Sequence, residues 1–174
     1  MTRRAGALAA GAGLLSLAAD AATKAWALSA LRHGHSITAP GGLLRLQLII
    51  NHGAAFGLGA SDELLVAVVS AALIVLLVIW AWRATGGLEK TGAALAAAGG
   101  IGNLADRIFR SPSFLHGGVV DWIHLSFYGP TFNLADVFLR VGVLLAAAAW
   151  LWHHRPQPHI QPNPNSDQGP SSLS

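Results

Sequence analysis

Three aspartates, Asp106, Asp121 and Asp136, lie beside long apolar runs in the stretch 99–136, together with Asn103, Arg107 and Asn133. Charged groups at the edge of a membrane segment are costly unless paired or functional, so a site is the first expectation. Asp121 follows Val119-Val120, and Asp136 follows Phe132-Asn133-Leu134-Ala135. A loop with Gly129 and Pro130 separates them, so only the tertiary fold can bring them together. Two close carboxylates cannot both ionise cheaply, and one pKa rises. The pair then shares a proton. One carboxylate takes a proton from water while the other donates to a carbonyl oxygen, which is general acid–base peptide hydrolysis without metal or covalent intermediate. Asn133 is suited to orienting such a pair. The structural alternative is that both aspartates are helix-end residues, Asp136 favouring the dipole in a first turn.

Other chemistries fit less well. The chain has no cysteine, which removes disulfides, thiolate zinc sites and a thiol nucleophile. There is no HExxH, and His33, His35, His52, His116 and His124 lack ligand spacing, so no metal or cofactor is expected. Lys24 with Ser16 or Ser29 would make a serine–lysine hydrolase, without a glycine-elbow context to support it. A proton- or ion-coupled carrier would use the same carboxylates, but four short spans show no internal repeat.

The elements that must position these residues are membrane segments. Hydrophobic residues make up 53% of the 174 and charged residues 11%. The formal charge of +3 is too small and dispersed to suggest nucleic acid. A span needs about 20 residues to cross the hydrocarbon. Span one covers about residues 5–28 and carries Asp20 and Lys24, spaced i, i+4 on one helical face. They are either a local ion pair near the interface or directed into the bundle. Arg3 and Arg4 before an apolar run raise a cleavable leader; the run continues through Asp20 and Lys24 without a processing site, so a retained first span is expected.

Span two covers about 64–82 and ends in Trp80 and Trp82. Span three, about 91–108, is rich in Ala and Gly and belongs at the bundle centre, where small residues allow close approach. Span four covers about 133–152, with Arg140 either snorkelling outward or facing a polar cavity. In the loop 29–62, Leu44, Leu46, Leu48 and Ile50 alternate, which predicts a strand. Asn51, His52 and Gly53 break it. Asn51 is a turn residue or a polar contact to an extended substrate, with Gly53 and Gly57 letting a backbone approach and Phe56 forming an apolar wall. The loop 109–132 is too polar and broken to span, and 156–174 reads as a disordered tail. The basic flanks put both termini in the cytoplasm and the two longer loops outside. His153 and His154 then fall in the cytoplasmic flank, and Asp20, Asp106 and Asp136 share one membrane depth near the outer face.

The chain resembles bacterial lipoprotein signal peptidases (signal peptidase II), which are intramembrane aspartyl proteases. Five blocks carry the likeness, in the family's order: 20–24 (DAATK), 51–57 (NHGAAFG), 99–107 (GGIGNLADR), 119–123 (VVDWI) and 132–136 (FNLAD). The resemblance implies an all-α membrane protein of four transmembrane helices, with a small extracytoplasmic β-cradle holding the 43–50 strand and a periplasm-side loop or helix between spans three and four. It implies cleavage of a membrane prolipoprotein just before a cysteine bearing diacylglycerol, by a monomer in the bacterial inner membrane in contact with lipid. It maps the catalytic dyad onto Asp121 and Asp136. Asn51, Gly53, Asn103, Asp106, Arg107 and Asn133 map onto the supporting or substrate-binding surround. Asp20 and Lys24 map onto a block needed for folding. Arg107 reads equally as an interfacial anchor or as a donor to a substrate carbonyl. Trp122, where the family often has a smaller aromatic, is expected to keep an apolar wall; Arg140 is a departure from the family pattern.

Overall fold

The structure, a computed structural model, describes residues 2–53 and 63–155. The expected wall at Phe56, the Gly57 position and the expected disordered tail, 156–174, lie outside the described residues. Four long helices are joined by short extended segments. Helix α1 is Thr2–Ala30, α2 Glu63–Arg83, α3 Gly87–Phe109 and α4 Leu134–His153. Strands β1 (Ser36–Thr38) and β2 (Leu44–Asn51) lie between α1 and α2; β3 (Val119–Leu125) and β4 (Thr131–Phe132) lie between α3 and α4. The fold is mostly helical with one small antiparallel sheet, ordered β1-β2-β3-β4.

Helices α1, α2 and α4 are long and apolar enough to cross a membrane, with mean hydropathies of 1.4, 3.0 and 1.9. Helix α3 matches them in length at 23 residues but not in apolarity. Its composition follows from its neighbours. It packs against α1, α2 and α4, so it is built of small residues rather than lipid-facing Leu and Val. Ala93, Ala96, Ala97 and Ala98 are all buried. A Cβ on Gly99 would strike the Ala135 carbonyl oxygen and the Leu139 amide of α4. A Cβ on Gly142 would strike the Ala96 amide and the Gly92 carbonyl oxygen of α3. Backbone therefore touches backbone along this seam, the contact small residues permit between membrane helices. By contrast α2 turns Val68, Val75 and Leu76 outward, each more than half exposed.

The stretch 109–132, expected as a loop or helix, contains two strands instead. Val119–Leu125 is rich in β-branched and aromatic residues and pairs with β2 on one side and β4 on the other. Strand β2 extends one residue past the expected 44–50, and its alternation does not run through. Leu46 pairs with Ile123 and Ile49 with Asp121, so β2 holds one extra residue over that interval. Such a bulge reverses which side chains share a face. Leu46 and Leu48 pack with Ala27, Leu31 and Val120 where α1 meets the sheet. Beyond the bulge, Ile49 and Asn51 share the face of Asp121. Trp122 joins the α1 seam, edge-on to Trp26 at 5.5 Å between ring centroids, so its wall belongs to that seam.

Candidate active site

Asp121 sits on β3, directly opposite Ile49, and Asn51 is the diagonal neighbour on the same face. Asn51 Nδ2 donates to Asp121 Oδ2 at 2.9 Å. Its own Oδ1 accepts from the Gly53 amide at 3.0 Å, which fixes the ring of atoms at the end of the strand. The bulge in β2 thus decides whether this amide reaches the carboxylate at all.

Asn133 is the N-cap of α4 and is completely buried. Its Oδ1 accepts from the Asp136 amide at 3.0 Å while Asp136 Oδ2 accepts from the Asn133 amide at 3.3 Å, a reciprocal capping box. The cap thereby holds Asp136 in the third position of the helix. The Asn133 Nδ2 group donates to Asp121 Oδ1 at 2.7 Å and to Asn103 Oδ1 at 3.1 Å. Asn103, on α3, donates from Nδ2 to Asp136 Oδ1 at 2.9 Å. Both carboxylates are therefore fixed by amide donors from other segments, and Asn133 touches each of them.

A cavity of about 560 Å³ opens beside this network. Asn51, Gly53, Asn103, Arg107, Asp121 and Asp136 all line it, as six of the expected site residues. Burial pushes the Asp121 carboxyl up to about 6 from the ordinary 3.8; the hydrogen bond from Asn51 pulls it back, the negative charge of Asp136 adds to the rise, and the bond from Asn133 again opposes it. Carboxylates that line one cavity and bond to a common asparagine can act together on a water and a carbonyl.

The remaining expected residues stand behind the cavity. Lys24 Nζ lies 2.8 Å from Asp20 Oδ2 and 2.9 Å from Asp106 Oδ2, and donates to Asn103 Oδ1 at 3.0 Å. It is 2% exposed, so the Asp20–Lys24 pair points into the bundle. Asp20 Oδ1 also accepts from the Ala135 amide at 3.0 Å, satisfying a first-turn donor of α4 from α1. Asp106 Oδ2 accepts from the Val120 amide at 3.2 Å, and Oδ1 faces Arg110 Nε at 2.5 Å. One buried lysine thus joins α1 and α3, and its partners hold β3 and α4. Arg107 lines the cavity, yet Nη2 donates to the Gly53 carbonyl at 2.5 Å and Nη1 to the His52 carbonyl at 3.4 Å. It supports the turn after β2.

The α2 lining carried no sequence signal of its own. Val66, Leu73, Ile74 and Leu77 form an apolar wall from α2, indistinguishable in sequence from lipid-facing positions. Thr131 and Phe132 come from β4. Arg140 lines the cavity rather than pointing away from it. Arg110 pairs with Asp106 at i, i+4, a helical spacing visible in the sequence, whereas His52 lies 2.8 Å from Glu63 with no local spacing to join them. Among the described residues, no three His, Asp or Glu side chains converge as a metal site.

Residues 12–152 match the family model of signal peptidase (SPase) II. A lipoprotein signal peptidase of Bifidobacterium adolescentis is 39% identical over 134 residues, covering 76% of this chain and 70% of that one. Another, from Bifidobacterium longum subsp. infantis, is 36% identical over 132 residues, covering 75% and 71%. A bacterial membrane enzyme solved by the in meso method at 2.3 Å superposes with a TM-score of 0.75 at 23% identity, over 90% of this chain and 95% of that one, a likeness of fold. The chain is an aspartic-type peptidase integral to a membrane. Within that class it belongs to the signal peptidase II family.

Proposed function

We propose that Asp121 and Asp136 are the catalytic pair with which this enzyme cuts a prolipoprotein before its diacylglyceryl-modified cysteine. Removal of signal peptides from prolipoproteins is the reaction of the family to which the chain belongs. The observation that carries the reading is that both carboxylates line one cavity while Asn133 bonds to each. Asp121, its carboxyl raised by burial, holds the shared proton and gives it to the scissile carbonyl oxygen. Asp136, in the first turn of α4 where the helix dipole favours negative charge, takes a proton from the attacking water. Asn51, Asn103 and Asn133 keep the acceptor lone pairs aimed. Arg107 and Gly53 shape the turn against which the substrate strand lies. Asp20, Lys24 and Asp106 hold the elements in register.

We further read α3 as a fourth span, covered by the other helices, which gives a protease domain over residues 1–155 followed by a cytoplasmic tail, 156–174. Both termini then face the cytoplasm of a bacterial cell, with the chain in its inner membrane. The sheet forms a cradle on the outer side, and the site lies near that face. Among the described residues one chain supplies both carboxylates, so the enzyme works as a monomer surrounded by lipid.

The test is a cleavage assay with protein purified in detergent and a diacylglyceryl-modified precursor. The expected product carries the lipidated cysteine as its new N-terminus and forms equally with and without a chelator. Intact precursor would favour a carrier using the same carboxylates, and chelator inhibition reversed by zinc would favour a metalloprotease.

A further inference from the structure

Arg140 is the charge in α4 that the catalytic reading leaves unused. It lies one helical turn beyond Asp136, at i, i+4, so both project from the same face of the helix. Both line the cavity. The Arg140 guanidinium sits over the Tyr128 ring, 5.6 Å from its centroid. Tyr128 in turn meets Phe132 edge-on at 5.7 Å, and Phe132 directly precedes Asn133. The arginine is thus held to the site by a short aromatic relay. Among the described residues no carboxylate forms an ion pair with it.

A guanidinium is always charged and carries five donors in a rigid fork. Contact with a ring face leaves in-plane donors for an oxygen acceptor. The walls on the other side of the cavity are Val66, Leu73, Ile74 and Leu77, which suit hydrocarbon. The group that fits is therefore one with apolar chains and an oxygen acceptor within reach of a guanidinium whose Cα stands about 6 Å along the helix from that of Asp136. The ester carbonyls of a diacylglyceryl thioether meet this requirement, since a flexible path of about seven or eight bonds joins them to the cysteine nitrogen of the scissile amide.

We propose that Arg140, braced by Tyr128, donates hydrogen bonds to the diacylglyceryl ester carbonyls of the substrate and so selects the lipidated cysteine, while the α2 wall receives the acyl chains. This rests on the prolipoprotein reading above.

The experiment compares two synthetic precursors of identical peptide sequence, one with ester-linked chains and one with ether-linked chains that lack the carbonyls. Both are assayed in the same detergent with the wild-type enzyme, Arg140→Met, Arg140→Lys and Tyr128→Leu. A charge-assisted hydrogen bond predicts that wild type prefers the ester by about tenfold in kcat/KM. The preference is expected to vanish in Arg140→Met, mainly through KM. It should fall partway in Arg140→Lys, which keeps the charge without the fork, and in Tyr128→Leu, which removes the brace. An ester preference unchanged in Arg140→Met and Tyr128→Leu, or no preference in wild type, overturns the proposal and makes Arg140 an interfacial anchor. If Arg140→Met fails to fold, Arg140→Lys and Tyr128→Leu decide alone. Failure of wild type to cleave either precursor would instead remove the prolipoprotein reading itself.

Discussion

At the scale of single residues, the chemistry depends on what each carboxylate accepts. Asp121 receives Nδ2 hydrogen bonds from Asn51 and Asn133, which favour its charged form, while burial opposes that form more strongly and leaves the carboxyl near 6. Because the folded value lies above the ordinary one, the stability tied to this group is fully present below pH 3.8 and lost as pH rises through about 6. If protonated Asp121 is the acid, kcat/KM declines above about pH 6 by roughly tenfold per unit. Asn51→Leu removes a donor to the charged form, so the alkaline limb should move to higher pH; a pH–rate profile of the purified variant checks the direction, and a downward shift would contradict the assignment. The residue types of this site were legible in the sequence because charges and amides stand out against apolar runs. Their pairing was not. Which amide meets which oxygen depends on a cap, a strand register and a diagonal contact that no local spacing encodes. Arg107 shows the same limit, since its acceptors are backbone carbonyls 54 and 55 positions away.

At the scale of elements, Lys24 is the joint. The i, i+4 spacing made its pairing with Asp20 readable, but Asp106 lies far along the chain and becomes a partner only when α1 packs on α3. Breaking one side of a buried ion pair leaves uncompensated charge, a cost of about 3–5 kcal/mol. Lys24→Met leaves Asp20 without a cation and Asp106 with Arg110 alone, and should lower the thermal unfolding midpoint strongly. Asp20→Asn keeps an oxygen that can accept from the Ala135 amide and should be milder. The two midpoints, measured in the same detergent, test this order, and the reverse order would contradict it. The sheet was half legible. Alternation exposed β2, whereas the glycines and prolines around 119–125 masked β3, whose first three residues are buried on both faces and so do not alternate. The bulge that aims Asn51 left no mark in the hydropathy pattern.

At the scale of the whole molecule, three helices announce themselves as spans and the fourth does not. That asymmetry has a physical cause: a helix covered by its neighbours needs small residues for contact, not hydrophobicity for lipid. The small-residue run of α3 signalled its central position, and its packing against all three other helices agrees. If α3 is the fourth span, as proposed, the turn at Ser126 and the connection at Thr85 lie on opposite sides of the membrane. The chain has no cysteine, so single cysteines placed at these positions report cleanly. A membrane-impermeant maleimide applied to intact spheroplasts should label Ser126→Cys and spare Thr85→Cys until the membrane is opened. Labelling of both from one side would contradict a spanning α3.

All three scales meet in the closeness of two carboxylates that the chain itself keeps apart. The most direct measurement is the cleavage of a diacylglyceryl-modified precursor by purified Asp121→Asn and Asp136→Asn enzymes beside wild type. General acid–base groups contribute about 100- to 10,000-fold, so each variant should lose at least about 100-fold in kcat while remaining inserted and folded in the membrane. Substantial cleavage by either variant would contradict the paired-aspartate account.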